Sequence, residues 1–120
     1  MNIGVKGSKG ENMVARFLSG KGFSVVARNY QCRFGEIDII AENSEFIIFV
    51  EVKTRKDNST VPIEEAVDSK KQKRIYITAQ DYLSKSMSDK QPRFDVALVS
   101  VRNNGNSGES YSLKYIENAF

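Results

Sequence analysis

The sequence predicts an α/β fold, a mixed β-sheet flanked by helices in the order αβββαββ. Residues 8–18 and 68–83 place apolar side chains at helical spacing. Residues 23–27, 35–41, 46–53, 92–101 and 112–116 are short runs rich in β-branched and aromatic residues. The second helical stretch separates strands three and four, which suits a sheet with helices packed on it. At 120 residues, the chain is expected to be one domain, 1–120, with a single modest core.

Each element follows from local chemistry. Residues 1–7 read as a frayed arm. Ser8, Lys9, Gly10 and Glu11 fit a capping box, Met13, Val14, Phe17 and Leu18 form an apolar stripe, and Gly20 and Gly22 stop the helix. The glycines at 4, 7 and 10 follow no strand, so a dinucleotide-binding loop is not expected. The first strand spans 23–27. Its exit, 28–33, carries Arg28 and Arg33, which either reach a phosphate, face water or pair with a local acid.

Residues 35–41 and 46–53 form a hairpin. If Asn43 and Ser44 are its two-residue turn, Ala41 faces Phe46 and Asp38 faces Phe49, one diagonal step from Glu51. Lys56 through Thr60 is a polar loop. Pro62 then opens a short helix with Ile63, Ala66 and Val67, and Asp68 caps a longer one burying Ile75, Ala79, Tyr82 and Leu83. Lys70, Lys71, Lys73 and Arg74 interrupt that pattern, either as a solvated face or as a phosphate-binding surface. Residues 92–101 are a strand whose Arg93 and Asp95 can pair with each other. A loop at 103–108 leads to the last strand.

Composition narrows the chemistry. The chain has no histidine and one cysteine, Cys32, which removes Cys/His zinc sites, histidine-dependent nucleases and Ser-His or Cys-His triads. Acid–base work must fall to carboxylates, lysines, tyrosines or metal-bound water. A net charge of +3 is compatible with a nucleic-acid partner without requiring one. The lone cysteine, and the lack of a signal peptide or an 18-residue apolar span, lead us to expect a cytoplasmic protein with no membrane partner.

The chemically informative stretch is 35–55. Residues 46–52 are apolar enough for a strand covered on both faces, so the charges of Glu51 and Lys53 at its end would cost several kcal/mol without compensation. Side chains alternate along a strand, so Glu51 and Lys53 share a face, and the hairpin brings Asp38 to it. Two carboxylates there repel by up to about 4 kcal/mol at an effective dielectric of 20, and so need a cation or a shared proton. Lys53 is one partner; Mg²⁺, which takes carboxylate, carbonyl, water and phosphate oxygens, is another.

Asp38 followed by Glu51-Val52-Lys53 resembles the PD-(D/E)xK nuclease core of restriction endonucleases and archaeal Holliday junction resolvases. More closely, the chain resembles the bacterial YraN family of small nuclease-like proteins. The matching pieces are Gly7-Ser8-Lys9-Gly10-Glu11 with Ala15, Arg28-Asn29-Tyr30, Gly35-Glu36-Ile37-Asp38, Phe49 to Arg55, Val67 with Lys71, Arg93-Phe94-Asp95, and Asn118-Ala119-Phe120. Ile37 stands where the superfamily's name has proline, a residue dispensable in the resolvase-like branch.

The resemblance implies a restriction endonuclease-like fold and a metal-dependent endonuclease acting on DNA, with branched or recombination-intermediate DNA among its substrates and a homodimer among its assemblies. RNA stays open, since nothing here reads a 2′-hydroxyl. On this reading Asp38, Glu51 and the Val52 carbonyl, with Glu11 as either helix cap or further ligand, hold Mg²⁺ or Mn²⁺. Asp38, Glu51 and Lys53 are then catalytic, and Arg28, Arg55 and Lys71 contact nucleic acid. The competing expectations are a non-catalytic nucleic-acid-binding or partner-binding module that keeps the metal site, and a purely structural Glu51–Lys53 ion pair.

Overall fold

The structure, a computed structural model, describes residues 8–56 and 67–120. The expected arm at 1–7, the loop at 57–60 and the short helix after Pro62 lie outside the described residues. The elements are α1 (Ser8–Gly20), β1 (Ser24–Cys32), β2 (Gly35–Glu42), β3 (Phe46–Lys56), α2 (Ser69–Ser86), β4 (Gln91–Asn103), a 3₁₀ turn (Gly105–Ser107) and β5 (Glu109–Ile116). This is the expected order, α β β β α β β, in an open mixed sheet with the strands side by side in chain order. β3 and β4 run parallel, which requires a crossover, and α2 is part of it.

Alternation along the strands builds two apolar layers. Ile48 and Val50 of β3, Ala97 and Val99 of β4, and Ile39 and Ala41 of β2 meet Val14 and Leu18 of α1. Ile47 and Phe49, Val96 and Leu98, and Ile40 meet Ile75 and Ala79 of α2. The central strand is therefore covered on both faces, as its unbroken apolar run requires. Thr78 joins Ile75 and Ala79 on the buried side of α2, its hydroxyl donating to the Arg74 carbonyl at 2.7 Å.

Two local expectations need correction. The first strand does not end at residue 27 but runs on to Cys32, so Arg28 lies within it, opposite Ile39. The reason is that β1 and β2 form a hairpin closed by Cys32 opposite Gly35, and pairing continues to that turn. The hairpin between β2 and β3 is also displaced by two residues, with Ala41 opposite Ile48 instead of Phe46. Here the Asn43 amide donates to the Phe46 carbonyl at 3.0 Å, and Asn43 Oδ1 accepts from the Glu45 and Phe46 amides at 2.9 and 2.7 Å. Asn43 thus acts as an Asx hinge, and Ser44 and Glu45 form the turn. Because the slide is even, every side chain keeps its face.

The Arg93–Asp95 pairing is present and buried. Asp95 is fully enclosed and accepts from Arg93 Nε at 3.0 Å, Arg93 Nη2 at 2.9 Å, the Tyr115 hydroxyl at 2.5 Å and the Asn118 amide at 2.9 Å. One carboxylate thereby ties β4, β5 and the segment after β5 together. Burial first, then the neighbouring Asp95, raises the Tyr115 phenol's pKa. Among the described residues no helix is long and apolar enough to cross a membrane.

Candidate active site

The β2–β3 ladder has Ile39 opposite Val50 as its last pair. One residue further along each strand come Asp38 and Glu51, and there a side chain takes over from backbone pairing. Asp38 Oδ2 accepts from the Val52 amide at 2.8 Å. β1 is irregular at the same level: its pairs pass from Arg28–Ile39 to Tyr30–Ile37, and the intervening Asn29 has φ of 52°. Asn tolerates that left-handed conformation better than most residues. The sheet thus opens into a fork, with carboxylates at its mouth.

A cleft of about 450 Å³ occupies the fork, and Glu11, Asp38, Glu51, Val52, Lys53 and Lys71 all line it. Asn29, Gln31, Glu36 and Thr54 complete the lining. The sequence pattern does not mark Asn29, Gln31 or Thr54 as cleft residues. The alternation of Asn29, Tyr30 and Gln31 would have marked the first and third had the strand been extended to Cys32. Glu36 accepts from Gln31 Nε2 at 3.1 Å across the β1–β2 hairpin.

Charge in the cleft is shared among four groups. Glu51 is buried at 5% exposure, and its Oε2 lies 2.5 Å from Lys71 Nζ. Lys71 sits in the first turn of α2, which the Asp68 carboxylate caps by accepting from the Lys71 amide at 2.9 Å. The structural ion pair of Glu51 is therefore made with Lys71 from α2, and not with Lys53 two residues along the strand. Burial, and then the charge of Glu51, push the Asp38 pKa up to about 7, against the opposing hydrogen bond from Val52. Contact with Lys71, followed by burial, lowers the pKa of Lys53. Burial also acts to lower that of Lys71, but bonding to Glu51 and Lys53 outweighs it and leaves Lys71 raised. The proton affinity of Lys71 is thus raised and that of Lys53 lowered.

Glu11 enters the cleft from α1 but turns to β1, where Oε1 accepts from Arg28 Nη2 at 3.2 Å and Asn29 Nδ2 at 3.3 Å. Arg28 also donates to Asn12 Oδ1 at 2.8 Å, so its guanidinium staples α1 to β1. Arg55 lies two residues beyond Lys53 on the same strand face, opposite Ser100 of β4. Among the described residues, no three or more Asp, Glu, Cys or His side chains gather closely enough to hold a metal ion. The donor set that could hold one is Asp38 and Glu51 with the carbonyl of Val52; Glu11 stands apart from it on Arg28 and Asn29.

Comparison with known proteins adds a family. The model of the uncharacterised protein family UPF0102 matches residues 10–99. A UPF0102 protein of Clostridium acetobutylicum is 45% identical over 116 residues, 95% of this chain and 92% of that protein. One from Clostridium botulinum strain 657 is 43% identical over the same shares, and one from Pelobacter propionicus is 38% identical over 95% of this chain and 81% of its own length.

Proposed function

The chain belongs to the uncharacterised protein family UPF0102, and for it we propose a metal-dependent endonuclease of the PD-(D/E)xK type that hydrolyses phosphodiester bonds in DNA in the cytoplasm, branched DNA included. The observation that carries this reading is the meeting of Asp38 and Glu51 at the open end of the β2–β3 ladder, with Lys53 in the same cleft. Two crowded carboxylates attract a cation; burial first and then the charge of Glu51 raise the proton affinity of Asp38, and Lys71 approaches Glu51 closely.

Asp38 and Glu51, with the Val52 carbonyl as third donor, would hold Mg²⁺ or Mn²⁺. Such an ion supplies Lewis-acid polarisation of the phosphate and a more acidic water. The remaining work belongs to the chain. The Val52 amide fixes one oxygen of Asp38, leaving the other for the cleft. The Lys53 side chain donates to a phosphoryl oxygen as charge grows there, in a partly water-excluded site where such a contact is strongest. Glu11, through Arg28 and Asn29, holds the cleft's α1 wall in place.

The test is incubation of the purified protein with Mg²⁺ or Mn²⁺ and branched, duplex or single-stranded DNA. Metal-dependent cleavage is expected, with Asp38→Ala and Lys53→Ala each slower by roughly 100-fold or more. DNA binding without cleavage under all these conditions overturns the enzyme reading. One observation favours a second reading: the Lys71 ammonium already serves as counterion to Glu51 at 2.5 Å, which suits a non-catalytic binding module. Calorimetric titration separates the two. Saturable Mn²⁺ uptake that is lost in Asp38→Ala supports the nuclease, and no uptake supports the module.

A further inference from the structure

Beyond the cleft, the α2-side face of the sheet changes character. The registers of β3, β4 and β5 place side chains on that face in cross-strand rows: Lys53, Leu98 and Lys114; then Arg55, Ser100 and Ser112; then Arg102 beside Ser110. Arg102, Ser110, Ser112 and Lys114 are exposed, whereas Leu98 is the last residue of β4 buried against α2. Among the described residues these rows carry four cations and three hydroxyls and no acid. On the opposite face of the same strands, Ala97, Val99, Leu113 and Tyr115 belong to the apolar layer beneath α1. At the levels of Leu98 and Ser100 the two faces of β4 and β5 therefore differ in polarity, although β3 also carries the exposed Thr54 and Lys56 on the opposite face.

We propose that this polar floor is a binding track for the phosphodiester backbone of DNA, leading out of the cleft toward β5. The inference rests on the nuclease reading for the identity of the polymer. Its geometry rests on the sheet registers alone. Glu51 and Lys53 stand at the head of the same face, so a strand lying on the rows passes directly into the cleft. From the Lys53 level to the Arg102 level is four residues of strand, roughly 13 Å, about the axial rise of four nucleotides in one DNA strand. A dent of about 160 Å³ lined by Ser100, Arg102, Ser110, Tyr111 and Ser112 lies at the far end. A guanidinium ringed by hydroxyl donors is a phosphate seat, because all of these groups can donate to phosphate oxygens. Polar residues on an edge strand such as β5 also discourage sheet-to-sheet aggregation, and the experiment distinguishes the two roles.

Anisotropy titrations of fluorescent duplex and branched DNA and of duplex RNA, in EDTA and again in Ca²⁺, would compare the parent with Arg102→Ala, Lys114→Ala and the double variant over a salt series. The control is Lys9→Ala with Arg16→Ala, two exposed cations of α1 on the other side of the sheet. The double variant should bind about 10-fold or more weakly, with the slope of log affinity against log salt smaller by about 1–2, and the control should match the parent. Thermal melts check that the fold is kept; Arg102→Gln and Lys114→Gln repeat the measurement should the alanine variants melt early. Parent-like affinity and slope in the variants overturn the track while leaving the nuclease reading intact. A parent that binds no DNA overturns both. Losses seen with RNA but not with DNA overturn the choice of polymer.

Discussion

Asp38 does two jobs with two oxygens. One caps the Val52 amide where the ladder ends, and its carboxyl as a whole shares the cleft with Glu51. Its pKa of about 7, against 3.8 in the unfolded chain, means the folded state holds a proton that the unfolded state releases. Its contribution to stability is thus fully present below about pH 4 and is lost as pH rises through 7. In metal-free protein, Asp38→Asn, which cannot ionise and can still accept from Val52, should remove this loss. We expect the variant to exceed the parent in stability at pH 8 by on the order of 2 kcal/mol, and to gain little at pH 4.5. Urea denaturation at the two pH values measures it; parallel pH profiles for parent and variant would show that Asp38 is not the titrating group. Lys53, whose pKa is lowered, acts in the opposite sense, its penalty relieved only toward alkaline pH.

At the scale of elements, the start of α2 positions the cleft's second lysine. The Asp68 cap holds the first turn, and that turn carries Lys71 onto Glu51. Asp68→Ala should cost about 1 kcal/mol and release Lys71, whereas Asp68→Ser, which keeps a capping oxygen, should restore most of the loss. Thermal melts read the first effect, and the ¹⁵N shift of Lys71 Nζ reads the second. An unmoved Nζ signal in Asp68→Ala would mean that Glu51 alone holds the lysine. α1 approaches β3 through Gly10, where an added Cβ would lie 2.8 Å from Thr54 Oγ1. That glycine lets helix and strand close over the cleft's edge.

For the molecule as a whole, the two helices divide the labour. α1 packs on one face of the sheet and α2 on the other, where Arg102, Ser110, Ser112 and Lys114 beyond Leu98 stay exposed. Opposite Val50 of β3, the enclosed Asp95 fixes β4, β5 and the segment following them through Arg93, Tyr115 and Asn118. Asp95→Ala strands a guanidinium and a phenol in the interior and should destabilise the fold by roughly 3–5 kcal/mol, as measured by denaturant unfolding. A loss below about 1 kcal/mol would show that water reaches Arg93 readily and that the brace is dispensable.

The order of elements, the two apolar faces, the Asp68 cap and the convergence of Asp38, Glu51 and Lys53 were legible in the residues alone. These follow from periodicity and parity, which survive a hairpin slide of two residues. Packing supplied the rest. The length of β1 depended on finding its partner β2, and the turn depended on Asn43 preferring its own backbone. Glu51 was matched with a lysine 20 positions away, and Glu11 was drawn to Arg28 and Asn29 instead of to the other two acids. Local pattern settles which face a side chain takes. Which charge it meets there depends on elements distant in sequence, and only packing brings those together.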